Sequence, residues 1–144
     1  MAYQSINPAT GRLVESFDNL TDRQLEEKLA AAAICFQSWK QRSYVERAVV
    51  IARAAEILRA KADEFAAIVT LEMGKLIGEA RGEVAFSADI LSYYAKNAGR
   101  FLAPEKLHPT VGEAHMERGP IGVVFCVEPV IFLFTSSRAS PGRS

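Results

Sequence analysis

Ile121-Gly122-Val123-Val124-Phe125-Cys126-Val127, entered through Gly119-Pro120 and left through Glu128-Pro129, is the stretch that decides the fold. It is a continuous apolar run, rich in β-branched residues, with no alternation of polar and apolar positions. Such a run suits a strand buried on both faces of a parallel sheet. A parallel strand needs neighbours on both sides, and the chain offers no second run of this kind. The expectation is an α/β fold of which these residues form a single strand, preceded by the helices that would cover it.

Working back from that run, residues 106–118 are polar and contain Pro109 and Gly112, which predicts a hairpin turning near residues 110–113. Pro104 separates it from a helical pattern over about residues 79–100, with Val84, Ala88, Leu91 and Ala95 on one face. Before that, Thr21-x-x-Gln24 and Ser43-x-x-Glu46 are capping-box patterns, each opening a helix. Leu25, Leu29, Ala32, Phe36 and Trp39 form the stripe of the first. Ala48, Ile51, Ala55, Leu58 and Ala62 form that of the second. Asp63 restarts the pattern, and Phe65, Ile68, Val69 and Met73 carry it to Gly74, a natural helix stop. The turn cluster Asn7-Pro8-Ala9-Thr10-Gly11 lies between residues 3–6 and 12–17, which predicts a short hairpin at the start.

Composition narrows the class. The 144 residues fit one domain with a moderate core, and 49% hydrophobic against 24% charged residues is a globular balance. Seventeen basic residues offset seventeen acidic ones without a basic patch, so neither nucleic acid nor a membrane surface is an expected partner. No basic stretch followed by an apolar run opens the chain, and the longest apolar run is too short to span a bilayer. Two cysteines, Cys35 and Cys126, make no disulfide framework, and the expected compartment is the reducing cytoplasm.

Three motifs, in this order and spacing, carry a resemblance: Asn7-Pro8-Ala9-Thr10-Gly11, Glu72-Met73-Gly74-Lys75 and Gly119-Pro120-Ile121-Gly122-Val123-Val124. Together they resemble the N-terminal part of the NAD(P)-dependent aldehyde dehydrogenase superfamily, and within it look most like the succinate-semialdehyde dehydrogenase group. The resemblance covers residues 5–129; Leu76 departs from it, standing where the family usually has proline. It implies that residues 1–103 are the N-terminal hairpin and helices of a Rossmann-like cofactor-binding domain. Residues 104–118 would be a hairpin used in homo-oligomerisation, and residues 119–129 the first strand of the dinucleotide-binding sheet. Ligands of open α/β sheets bind beyond the carboxyl ends of the strands. On that reading Val127, Glu128 and Pro129 line the cleft for NAD or NADP, although an ordinary strand end accounts for them equally well.

The same resemblance implies the chemistry. In the family a thiolate attacks the aldehyde carbonyl, hydride passes to NAD or NADP, and a carboxylate activates the water that releases the acid. An asparagine amide in a Glu-Pro-Trp-Asn-Phe-Pro motif stabilises the oxyanion. Here the chain reads Glu128-Pro129-Val130-Ile131-Phe132-Leu133, and Ile131 has no donor. Losing one such donor costs about a hundredfold or more in rate. The family's nucleophilic cysteine and general-base glutamate fall downstream of residue 144. The expectation is therefore an inactive fragment with no catalytic residue, no metal site and no cofactor of its own.

Nothing else in the chain is expected to substitute. Cys126 reads as an inert thiol inside the strand, and Cys35, beside Phe36, as a small apolar filler. His108 and His115 lack a ligand cluster at zinc spacing. Glu79, Glu83 and Asp89 read as a solvated helix face, and Ser136-Ser137-Arg138 lacks the glycine-rich cradle of a phosphate site.

Residues 130–144 match neither helical nor strand periodicity. Permitted codons for Ile131 to Arg143, read one base earlier, can spell Asn-Phe-Pro-Phe-Tyr-Gln-Leu-Ala-Arg-Val-Ala-Gly-Pro, the expected continuation of the family motif. The tail is thus expected to be a frameshifted segment, with the lesion at about the codons for Pro129 and Val130. Two other readings compete with an inactive fragment. One is activity restored by a separately encoded remainder. The other is a small helical module that binds an intact dehydrogenase subunit.

Overall fold

Asn7 builds the first turn from its own side chain. Its Oδ1 accepts from the Ala9 amide at 2.8 Å and the Thr10 amide at 3.3 Å, and its carbonyl accepts from Gly11 N at 2.8 Å. Gly11 sits at φ 68°, a left-handed conformation that a residue without Cβ adopts at little cost. The turn joins β1 (Tyr3–Ile6) to β2 (Leu13–Phe17) as an antiparallel pair with Tyr3 opposite Phe17. The computed structural model describes residues 3–126.

Four helices follow: α1 (Asp22–Trp39), α2 (Tyr44–Ala60), α3 (Ala62–Met73) and α4 (Ile77–Phe101). Both capping boxes form. Thr21 Oγ1 accepts from Gln24 N at 3.3 Å while Gln24 Oε1 accepts from Thr21 N at 2.9 Å. Ser43 Oγ accepts from Glu46 N at 3.2 Å while Glu46 Oε2 accepts from Ser43 N at 2.8 Å. Each box satisfies two amides that the helix start would otherwise leave unpaired. Gly74 closes α3 in the left-handed conformation, φ 67° and ψ 14°, its amide donating to Thr70 O at 3.0 Å.

Helix α4 is the axis of the packing. It lies against α2 on one side and α3 on the other, while α2 and α3 hardly touch. Its buried positions are Ala80, Glu83, Val84, Ser87 and Ala88, a spacing of three and four that marks one helical face. The buried apolar side chains are Ala55, Ala66, Val69, Ala80, Val84 and Ala88. All are alanine or valine, so the helices approach closely around a thin core. Polar clamps reinforce the pairs. Arg59 of α2 reaches Asp89 at 2.8 Å, Ser92 Oγ at 2.9 Å and the Ala88 carbonyl at 3.3 Å, and Arg81 of α4 reaches Asp63 of α3 at 2.6 Å.

Helix α1 is different. None of its residues is buried, and it forms no pairing comparable to α2 with α4 among the described elements. Leu25 and Leu29 are exposed, and Ala32, Phe36 and Trp39 are only partly covered. The helix forms as its periodicity predicts, yet the stripe faces no partner here. Cys35 is likewise exposed rather than an apolar filler.

The second hairpin pairs β3 (Glu105–Leu107) with β4 (Ala114–Met116), with His115 opposite Lys106. Its connecting loop takes in the predicted turn, with Gly112 at φ 81°. Beyond it, residues 121–126 lie in no strand, and Cys126 is exposed instead of buried. The reason is the one inherent in a central parallel strand: its ladder is made by neighbours, and no described element offers an edge to it. The predicted tail, residues 130–144, lies outside the described residues.

Candidate functional site

The residues expected to face a cofactor, Val127, Glu128 and Pro129, lie outside the described residues. What the structure does show is the approach to them. Segment 119–126 leaves β4, and its root is tied to the helices by Tyr44, whose hydroxyl donates to the Arg118 carbonyl at 3.1 Å. The Arg47 guanidinium stacks 4.4 Å from the Tyr44 ring centroid. Arg47 Nε is buried beside the small apolar gap between α2 and α4 that Tyr94 and Leu102 help line, and has no hydrogen-bond partner among the described residues. An open groove of about 410 Å³ runs along α4 between Phe86, Ile90, Tyr93 and Tyr94, with Asp89 on its rim already paired to Arg59.

A dinucleotide needs backbone donors for its phosphates, commonly at a helix N-terminus reached through a glycine-rich turn. The starts of α1 and α2 are occupied by their own capping boxes, and neither is preceded by such a turn. Cys35 and Cys126 are free and exposed, and among the described residues no group of three His, Cys, Asp or Glu is placed to hold a metal ion. His108 and His115 are exposed on the second hairpin.

One largely buried ion pair was missed by sequence reasoning. Glu83 is not on a solvated face. Its carboxylate is paired with Lys75 Nζ, and the two side chains are only 7% and 20% exposed. Glu79 is exposed, and Asp89, though exposed, is held by Arg59. The signal for Glu83 was present, since position 83 falls on the same face as Ala80, Val84 and Ser87. Lys75 belongs to the turn that follows α3, so the pair locks the third and fourth helices at the point where the chain reverses.

At that reversal two of the sequence motifs meet. A Cβ placed on Gly74 would lie 3.1 Å from Pro8 Cγ, so the Asn7–Gly11 turn packs directly on the Glu72–Lys75 turn. The aldehyde dehydrogenase family profile matches residues 1–132. The chain belongs to the aldehyde dehydrogenase family. It is 39% identical, over 88% of its length, to an NADP+ succinate-semialdehyde dehydrogenase of Deinococcus radiodurans, of which it spans 27%. It is 37% identical to a probable NADP+ succinate-semialdehyde dehydrogenase of Synechocystis, covering 93% of this chain and 30% of that protein. In three dimensions it is similar to the crystal structure of succinic semialdehyde dehydrogenase from Streptococcus pyogenes in complex with NADP+. The TM-score is 0.88 at 39% identity, over 92% of this chain and 30% of that one. The match is to the N-terminal part of these aldehyde dehydrogenases, and the chain spans about three-tenths of their length. Among the described residues no helix is long and apolar enough to cross a membrane.

Proposed function

We propose that these residues form the N-terminal portion of an NADP-dependent succinate-semialdehyde dehydrogenase of the cytoplasm. They supply the outer helices, the oligomerisation hairpin at residues 104–118 and the first strand of its cofactor-binding domain. The whole protein oxidises an aldehyde to the acid with reduction of NADP+, and Val127, Glu128 and Pro129 border the dinucleotide. The observation that carries the reading is the contact of Pro8 with Gly74. It joins two of the three diagnostic motifs, in a chain 39% identical to an enzyme of that name.

On this reading the 144 residues do not turn over alone. Ile131 stands where the family's motif has an amide donor. The test is to purify the chain, supply succinate semialdehyde and NADP+, and follow NADPH. None is expected from the chain alone. Co-expression with the remaining residues of the Deinococcus enzyme is expected to restore it; NADPH from the isolated chain would overturn the assignment of inactivity. A second reading, a module that binds an intact dehydrogenase subunit, is favoured by the uncovered stripe of α1. Capture of an intact succinate-semialdehyde dehydrogenase by this chain, with no restored activity on co-expression, would select it.

A further inference from the structure

The second hairpin has little apolar packing to fix it on the helices. Among the described elements β3 and β4 pair closely only with each other. All three residues of β3 are exposed, and only Ala114 of β4 is partly covered. The base of the hairpin is closed by an ion pair at 3.6 Å between Arg118, which follows β4, and Glu105, which opens β3. The carbonyl of the same Arg118 accepts the Tyr44 hydroxyl at 3.1 Å, across 74 residues of sequence. That bond is made at the last residue before Gly119-Pro120, where the chain leaves the hairpin for residues 121–126.

Tyr44 is built to be the fixed end. It is the first residue of α2, directly after the capping Ser43. Its ring borders the gap that Tyr94 and Ala98 of α4 also line, and a Cβ added at Gly99 would meet the Tyr44 Cβ at 3.9 Å, an ordinary packing distance. The Arg47 guanidinium, one turn further along α2, covers the ring at 4.4 Å from its centroid. The hydroxyl is thus offered from the junction of α2 and α4, the two helices that pack most extensively.

We propose that Tyr44 is a positioning residue: its hydroxyl fixes the point from which residues 119–126 depart, and through them the strand that borders the dinucleotide. This rests on the reading of residues 119–129 as the first strand of the cofactor-binding domain. The role asks nothing of the hydroxyl in the chemical step. Loss of the bond therefore weakens the hold on NADP+ and leaves turnover at saturating cofactor as it was. A neutral hydrogen bond facing solvent contributes modestly, so the expected change is about two- to tenfold.

The test is Tyr44→Phe, which keeps the ring, the Arg47 stack and the Gly99 contact and removes only the donor. One readout uses the full 144-residue chain with Cys35 and Cys126 changed to serine. Spin labels go on Val49→Cys in α2 and His115→Cys in β4, both exposed positions. The interspin distance distribution is expected to broaden in Tyr44→Phe with helicity unchanged. The other readout uses the unlabelled chain co-expressed with the remaining residues of the Deinococcus enzyme. There KM for NADP+ is expected to rise about two- to tenfold in Tyr44→Phe while kcat holds. An unchanged distance distribution, an unchanged KM in an active assembly, or a fall in kcat as large as the rise in KM would each overturn the proposal. An assembly inactive with Tyr44 in place would sink the enzymatic reading, and the cofactor role with it, even if the distances broaden.

Discussion

Pro8 rests against Gly74: a Cβ added at Gly74 would approach Pro8 Cγ to 3.1 Å, closer than most side-chain contacts. Two constraints therefore coincide at one residue. The φ of 67° favours glycine, and a Cβ there would press on the proline ring, which would have to give by a few tenths of an ångström. A left-handed residue with a Cβ costs about 1–2 kcal/mol. Gly74→Ala is expected to lose at least that much in denaturant unfolding. Adding Pro8→Ala should recover the contact part and leave the backbone part, so the double variant sits between wild type and Gly74→Ala. A neutral Gly74→Ala would mean that the two turns are not locked together.

The Lys75–Glu83 pair makes a second prediction. Removing one member of a largely buried ion pair costs up to about 3–5 kcal/mol, whereas replacing both with apolar groups is often nearly neutral. Lys75→Met and Glu83→Leu are each expected to destabilise the chain strongly. The double variant should be less destabilised than either single one. Denaturant midpoints of the three variants decide the matter; a double loss equal to the sum of the single losses would show that the two side chains act independently.

Local signals were legible because they are written within a few residues. Thr21 with Gln24, Ser43 with Glu46, Asn7 with Gly11, and Gly74 each carry their own hydrogen-bond logic, and each appears where the pattern put it. Glu83 was misread because a carboxylate on a helix is usually solvated, and its partner Lys75 lies outside that helix. Residues 121–127 have the composition of a buried strand, yet 121–126 lie in no strand, since a ladder depends on neighbours that no described element supplies. The same holds for α1, whose stripe is helical by spacing and only partly covered among the described residues. The residues expected to border a cofactor, Val127, Glu128 and Pro129, rest on the resemblance alone and lie outside the described residues. No local rule could have placed them.

Acid sensitivity should concentrate at the start of α2. The Ser43 hydroxyl donates to Glu46 at 2.8 Å and the Ser43 amide at 2.8 Å, and these two bonds, with a smaller attraction from Arg42, hold the Glu46 carboxyl below its ordinary value. A carboxylate whose folded pKa is depressed stabilises the fold above its unfolded pKa. That contribution is lost as the pH falls through the lowered folded value. The group is fully exposed, so the effect is small and local. A carbon-detected titration should show Glu46 protonating below a peptide reference, and Ser43→Ala should return it towards that reference. An unmoved titration in Ser43→Ala would remove the serine as the cause.

The same capping chemistry should matter most where packing helps least. Helix α2 is held by α4 whether or not its first turn is capped, whereas α1 buries nothing and leans on local terms. An isolated helix of 18 residues is only marginally stable in water. Loss of a threonine cap costs about 0.5–2 kcal/mol, comparable to the whole margin of such a helix. Thr21→Ala is therefore expected to melt α1 in large part, while Ser43→Ala frays only the first turn of α2. Amide hydrogen exchange resolves the two: protection should collapse along α1 in Thr21→Ala and stay unchanged in α2, α3 and α4. If Thr21→Ala instead lowers protection evenly across all four helices, α1 is packed into the same cooperative unit as the rest, and its exposed stripe has a partner within the chain.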